Sequence, residues 1–429
     1  MARKMKDSGI EWIGEIPEGW TKNKVIRLFD TISSGTTPKN ITSDFPVVNW
    51  IQSGDITGSF MPTCKNVISA NLLSQYSALK VYPAPFIIIA MYGASVGNAS
   101  ISLIDGCVNQ ACCVLSSPSC NLYYAFYVIK SAQSYLVRKA VGGGQPNISQ
   151  ETIKQLWLPI PPLSTQDIIV RNLDATYSKI NDLLTSVHAS IGEYKKLKQA
   201  VITQAVTKGV RGERVMKDSG VEWIGKIPRD FDPVQLKFFC KLITDGTHFS
   251  PTTVENGWPY ITAGDVHGIG LDYNSAKRIS EEDFQLLVAQ GCQPLKGDVL
   301  LVKDGATTGR VGFVDSDTPC VILSSVAMLR PADSTDGHYL MYLLASDFLQ
   351  KQILVSMAGS AMPRTTLTKL TKYIGLLPPL HEQKEIANYL DAKCAEIDKL
   401  IAKKEQLVKE LESYKKSLIY EVVTGKREV

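Results

Sequence analysis

The stretch 161–207 occurs twice in this chain. Pro161-Pro162-Leu163 opens it, Gln166 follows, then Leu173-Asp174-Ala175, Ile180, Leu183 and Val206-Thr207. The same residues recur at Pro378-Pro379-Leu380, Gln383, Leu390-Asp391-Ala392, Ile397, Leu400 and Val423-Thr424, at a constant offset of 217 with no gap. The start of each half is duplicated too. MKDSGIEWIGEIPEGW at 5–20 returns as MKDSGVEWIGKIPRDF at 216–231, with 11 of 16 positions identical. A period above 200 residues is too long for a stacked-repeat solenoid. It implies two copies of one unit, each a domain followed by a helix. Trp12 and Trp223, with Ile13 and Ile224, are expected to pin each entry segment onto its own domain.

Both copies of the long stretch read as helix. In the first, Leu173, Tyr177, Ile180, Leu184, Val187, Ile191 and Tyr194 recur at alternating spacings of four and three. That is a heptad seam, which requires a partner helix. The second copy offers Leu390, Cys394, Ile397, Ile401, Val408, Leu411 and Leu418, with Lys404 and Lys415 interrupting. Neither helix contains a proline after its opening pair, so neither is broken. Two rods of equal length in one chain are expected to pair with each other, antiparallel. The reading is therefore an α/β (α+β) chain with a pseudo-two-fold internal repeat. A first domain is placed at 1–160, a long helix at 161–209, a second domain at 210–377 and a second long helix at 378–429.

Between entry and helix, each domain shows short strands and turn clusters in the same order. Phe86 to Met91 is an apolar run short enough for a buried strand. Val299 to Val302 answers it. Gly93-x-x-x-Gly97 after the first strand is matched by Gly305-x-x-x-Gly309 after the second. A loop proline is also shared, at Gln145-Pro146-Asn147 and Met362-Pro363-Arg364. The residues beside these frames differ: Asn98 stands against Arg310, and Asn147 against Arg364. Two copies of one scaffold reading different targets would look like this, and so would drift in loops.

Charge does not decide between them. The net charge is +4, and residues 215–377 carry 15 Lys and Arg against 18 Asp and Glu. No segment forms a strongly basic patch. The 9 cysteines contain no CxxC pair, which suits reduced thiols in a cytosolic protein. No secretory leader is read at the start, and no apolar run is long enough to span a bilayer. A phosphate-binding GxxxxGK[ST] loop is absent, as is the Asn-Pro-Pro-aromatic run of base methyltransferases. Glu382-Gln383-Lys384 and Asp391-Ala392-Lys393 match only a fragment of a nuclease motif and lie on a helix. The five histidines show no ligand spacing. No metal or catalytic residue is assigned, and the chain is expected to catalyse nothing alone.

Trp12-Ile13-Gly14-Glu15-Ile16-Pro17 with its copy, and Leu158-Pro159-Ile160-Pro161-Pro162-Leu163 with its copy, resemble the specificity subunit of type I restriction–modification systems. The resemblance covers essentially the whole chain. It implies two target recognition domains, each reading half of a split site on double-stranded DNA. It implies paired helices that set the spacing and dock two modification subunits, which bring S-adenosylmethionine. It implies, further, restriction subunits that join with ATP and Mg²⁺, in the cytoplasm of a bacterium or archaeon.

Readout of bases requires polar side chains on rigid loops at the major groove. The candidates are Thr36, Thr37, Lys39, Asn98, Gln145 and Asn147 in the first copy. In the second they are Thr247, His248, Lys303, Thr307, Arg310, Arg364 and Thr365. Arg310 and Arg364 suit guanine, while Gln145 and Asn147 suit adenine. A coiled-coil scaffold that binds no DNA is the competing reading.

Overall fold

The computed structural model describes residues 3–39, 41–142, 146–222, 224–267, 270–357 and 363–429. The chain forms two compact units. One is Met1–Val187 with Gln406–Val429, and the other is His188–Glu405. Each unit thus holds one domain, the first part of the long helix that follows it and the last part of the other long helix.

In the first unit the central sheet has five strands in the order Phe29–Ser34, Cys112–Pro118, Phe86–Ala90, Ala99–Ser102 and Phe60–Met61. All five residues of Phe86–Ala90 are buried, because neighbours hydrogen-bond on both sides and both faces are covered. A smaller sheet joins Cys107–Val108, Val47–Ile51 and Val67–Ser69. The second unit repeats the central order with Cys240–Asp245, Val326–Pro331, Val299–Val302 and Val311–Phe313. The entry segment folds as a hairpin in each unit, Met5–Ile10 against Gly14–Pro17 and Met216–Asp218 against Lys226–Pro228. Ile13 and Ile224 are buried, and the Trp12 ring lies 6.4 Å from that of Tyr135. Trp223 lies outside the described residues.

The long helices run Leu163–Lys208 and Leu380–Val423. Four repeated residues fix each to its domain. The Gln166 amide donates to the Pro161 carbonyl at 2.8 Å, and its oxygen accepts from the Asn121 backbone N–H at 2.8 Å. Gln383 donates to Pro378 at 2.9 Å and accepts from Asp336 N–H at 2.8 Å. Asn121 and Asp336 are themselves the N-caps of the helices Leu122–Ser131 and Gly337–Ala345. One turn further on, Tyr127 donates to Asp174 and Tyr342 donates to Asp391. Tyr124 and Tyr339 bond the carbonyls of Pro159 and Leu376 from inside the core.

The heptad residues divide their burial between domain and partner helix. Leu173, Tyr177 and Ile180 lie in the core of the first unit, together with Leu418, Ile419, Val422 and Val423. Ile386, Leu390 and Cys394 lie in the core of the second, with Ile202, Ala205 and Val206. Ile191, Ile397 and Ile401 are buried, whereas Leu184, Val187, Tyr194, Val408 and Leu411 are half-buried. Within the second unit Lys404 lies over the Tyr194 ring at 5.6 Å, and Lys198 pairs with Asp398 at 2.6 Å. The partner number falls as the residue number rises, so the helices run antiparallel. Lys415 sits over the Tyr177 ring at 4.4 Å in the first unit. The two lysines that interrupt the apolar seam thus meet tyrosine faces across it. No helix among the described residues is long and apolar enough to cross a membrane.

Replacing Gln383 with Ala leaves the part-buried Asp336 N–H, the buried Pro378 carbonyl and the Ser334 carbonyl without their side-chain partner. At about 1–3 kcal/mol for an orphaned group, the variant should lose about 2–4 kcal/mol in urea unfolding of the second unit. A loss under about 1 kcal/mol would show that water replaces the amide.

Candidate nucleic-acid interface

The same backbone frame builds a loop cluster in both units. In the first, Met91 N–H bonds Ala111 O at 2.8 Å, Ile148 N–H bonds Met91 O at 2.9 Å and Gly93 N–H bonds Pro146 O at 3.2 Å. In the second, Lys303 N–H bonds Ser325 O at 2.8 Å, Thr365 N–H bonds Lys303 O at 2.9 Å and Gly305 N–H bonds Pro363 O at 3.0 Å. The turn after the central strand closes identically, with Asn98 N–H on Ser95 O and Arg310 N–H on Thr307 O. It needs left-handed backbone at its glycines, with φ of 76° and 77° at Gly93 and Gly97 and 95° at Gly305 and Gly309. The Ser/Gly/Thr turn is held by close approach. A Cβ on Gly35 would lie 1.7 Å from Val108 O, and one on Gly246 would lie 1.9 Å from Ile322 O.

On this frame the second unit brings together seven of its sequence-predicted residues, but three of them face inward. Thr247 is buried, and its hydroxyl accepts from Phe249 N–H at 2.9 Å. Thr365 is buried against the Tyr373 hydroxyl at 2.6 Å. Lys303 is 3% exposed, with its ammonium 3.2 Å from Asp245 and 3.1 Å from Asp304. The expectation that these three face bases is corrected: all three side chains are buried among internal partners and are not presented to a base edge. His248 and Arg310 are exposed and Thr307 is half-buried. Arg364 is exposed and pairs with Asp304, Nε to Oδ1, at 2.9 Å. A relay therefore runs from Asp245 through buried Lys303 and Asp304 to Arg364.

In the first unit Thr37 is exposed and donates to Gln110, Thr36 is half-buried and Lys39 is exposed. Asn147 bridges Tyr92, while the Asn98 side chain is tied to Gln133. Gln145, Met362 and the other residues of 143–145 and 358–362 lie outside the described residues. The positions of Lys303 and Asp304 are taken here by Met91, which is buried, and Tyr92, which is 45% exposed. Sequence reasoning passed over Asp304 and Tyr92. The signal was available: they stand at the second position after the two matched strands and differ completely in character.

The arrangement offers little chemistry of its own. Burial pushes the Cys112 and Cys113 thiols up to about 12, so they stay protonated. Among the described residues no three His, Cys, Asp or Glu side chains are placed to hold a metal ion. What the fold presents is a duplicated scaffold with matched loop frames and unmatched loop side chains.

A family model described as the type I restriction modification DNA specificity domain matches residues 17–193 and again 228–410. The chain belongs to that family. It is 27% identical over 314 residues to the type I restriction enzyme MjaVIII specificity subunit of Methanocaldococcus jannaschii, covering 71% of this chain and 69% of the relative. It is 23% identical over 384 residues to the EcoBI specificity subunit of Escherichia coli, covering 84% and 78%. A solved chain from a study of complex assembly and conformational transition in a type I R-M system superposes with a TM-score of 0.72 at 17% identity, covering 95% of this chain and 98% of that one. The HsdS subunit from Thermoanaerobacter tengcongensis gives 0.50 at 18% identity, covering 96% and 98%.

Lys303→Met removes the shared partner of Asp245 and Asp304. Breaking a fully buried pair costs about 3–5 kcal/mol. Because these carboxylates are 20% and 25% exposed, a loss of about 2–4 kcal/mol is expected in urea unfolding. An unchanged midpoint would mean that the relay does not hold the loop.

Proposed function

We propose that this chain is the sequence-reading subunit of a type I restriction–modification complex, and that each domain reads one half of a split target on double-stranded DNA. One observation carries the reading: matched backbone frames hold different exposed side chains in the two copies. Rigid frames put side chains at fixed positions, and side-chain identity then selects the base. His248, Thr307, Arg310 and Arg364 are the readers of one half-site. Thr36, Thr37, Lys39 and Asn147 are those of the other, with Tyr92 beside them. Gln145 remains a candidate there from sequence. The paired helices set the half-site spacing and dock two modification subunits. Methyl transfer uses S-adenosylmethionine on those subunits, and cleavage uses ATP and Mg²⁺ on restriction subunits. The purified chain alone neither methylates nor cuts.

Arg364→Ala should cost the complex about 1–3 kcal/mol of specific binding and relax one position of one half-site. Selection from a randomised library, with modification subunits present, reads the preference at every position. Loss at all sequences alike assigns Arg364 to a phosphate. Binding with no sequence preference in the wild type favours a scaffold without readout.

Four residues inserted after Val187 add about 6 Å of helix at 1.5 Å each. The preferred target should keep both half-sequences and gain one or two unspecified base pairs between them. An unchanged spacer in an active insertion variant would sink the spacing role.

A further inference from the structure

In the first unit two lysine ammoniums face one tyrosine. Lys130, from the helix Leu122–Ser131, lies 5.2 Å from the Tyr177 ring centre, and Lys415 lies 4.4 Å from it. Lys130 donates to the Gly58 carbonyl, and Lys415 to the Asn181 amide oxygen at 2.6 Å. Both acceptors are neutral. Among the described residues neither ammonium has a carboxylate within the 4.0 Å of an ion pair. The ammoniums line a cavity of about 390 Å³, where Lys416, Ser131, Ser134 and Glu412 also contribute. Glu412 draws Lys415 toward its charged form, and Asp174 lines an adjoining cavity that Lys130 and Lys415 also line. Cations outnumber acids three to one around the first cavity.

The second unit shows how the same scaffold looks without this excess. At the 217 offset, Lys198 is the counterpart of Lys415 and Asp398 that of Asn181. Lys198 and Asp398 form an ion pair at 2.6 Å. Ala345 stands in the place of Lys130, one turn after the matched Tyr342. One copy neutralises its lysine internally. The other has an amide there and adds a second lysine.

We propose that the cavity of the first unit binds a phosphate group, held between Lys130 and Lys415. Two half-buried cations without an ion-pair partner destabilise one another, and an anion between them removes that cost. Their titration fits. Burial, and then the charge of Lys415, pushes Lys130 down to about 8, and burial also lowers Lys415. A folded value below the unfolded one means that the unfolded chain binds more protons from about pH 8 up to the ordinary lysine range. Stability therefore rises with pH across that window. A bound anion restores the charge, so at about pH 8 binding draws a proton onto Lys130.

The phosphate belongs either to the DNA backbone or to a free small molecule, and only the first rests on the proposed DNA function. Inorganic phosphate is titrated calorimetrically into the full chain at pH 8 in two buffers of different ionisation heat. Specific DNA binding by the assembled complex is measured against salt. Lys130→Met and Lys415→Met are carried through both arms, and urea unfolding of each variant confirms that it folds before its binding is compared with that of the parent chain. For a free ligand, inorganic phosphate binds one to one with proton uptake, and each variant weakens it at least tenfold. For a backbone contact, each variant weakens all DNA sequences alike and lowers the salt slope by about 0.9. Unchanged behaviour of both variants in both arms overturns the proposal. A complex that binds no DNA at all refutes the DNA function and leaves the inorganic phosphate result standing.

Discussion

A buried side-chain amide at the head of each long helix holds the architecture together. Gln166 and Gln383 each join three things: the proline carbonyl where the chain leaves the domain, the backbone N–H that starts a domain helix, and the first turn of the long helix. Both amides are essentially sealed from water. Inside a low-dielectric core such a group is worth keeping only when every partner is present. Domain and helix are therefore joined at a set angle, not by a free linker. The tyrosine–aspartate bonds one turn on, Tyr127 to Asp174 and Tyr342 to Asp391, add a second fixed point.

From that attachment follows the division of labour in the loops. Backbone-to-backbone bonds and close-approach glycines set the loop positions in the same way in both copies. Exposed side chains on the frame are consequently free to differ. The second unit uses a charged relay ending at Arg364, and the first puts Met91 and Tyr92 in the same places. A rigid frame with substitutable side chains is what readout of unrelated sequences requires. The identity of the chain as a family member and the unlike loops of its two copies point the same way.

The helices show how duplication is followed by local divergence. Equivalent positions hold Lys198 with Asp398 in the second unit and Lys415 with Asn181 in the first. Replacing the carboxylate by an amide keeps the hydrogen bond and removes the counter-charge. Lys130 then adds a further cation beside it. The heptad lysines that look like flaws in an apolar seam rest on tyrosine faces, which accept a cation and still exclude water.

The sequence by itself determined the duplication and the two long helices, and its repeated motifs carried the resemblance to the family. Those rest on periodicity and on repeated residues, both of which are local. It also marked the loops that cluster, because glycine spacings and the shared proline report backbone geometry directly. Only the tertiary structure decided which loop side chains face outward. Thr247, Lys303 and Thr365 are polar and sit on the right loops, yet Asp245, Asp304, the Phe249 backbone and Tyr373 claim them from inside. The heptad pattern likewise marked apolar positions without saying what covers them. Leu173 and Leu390 pack in the cores of the two domains, and Tyr177 meets both Tyr127 of its domain and Lys415 of the other helix. The physical reason is common to both: a polar or apolar residue fixes the kind of contact it needs, and the partner that supplies it comes from distant sequence.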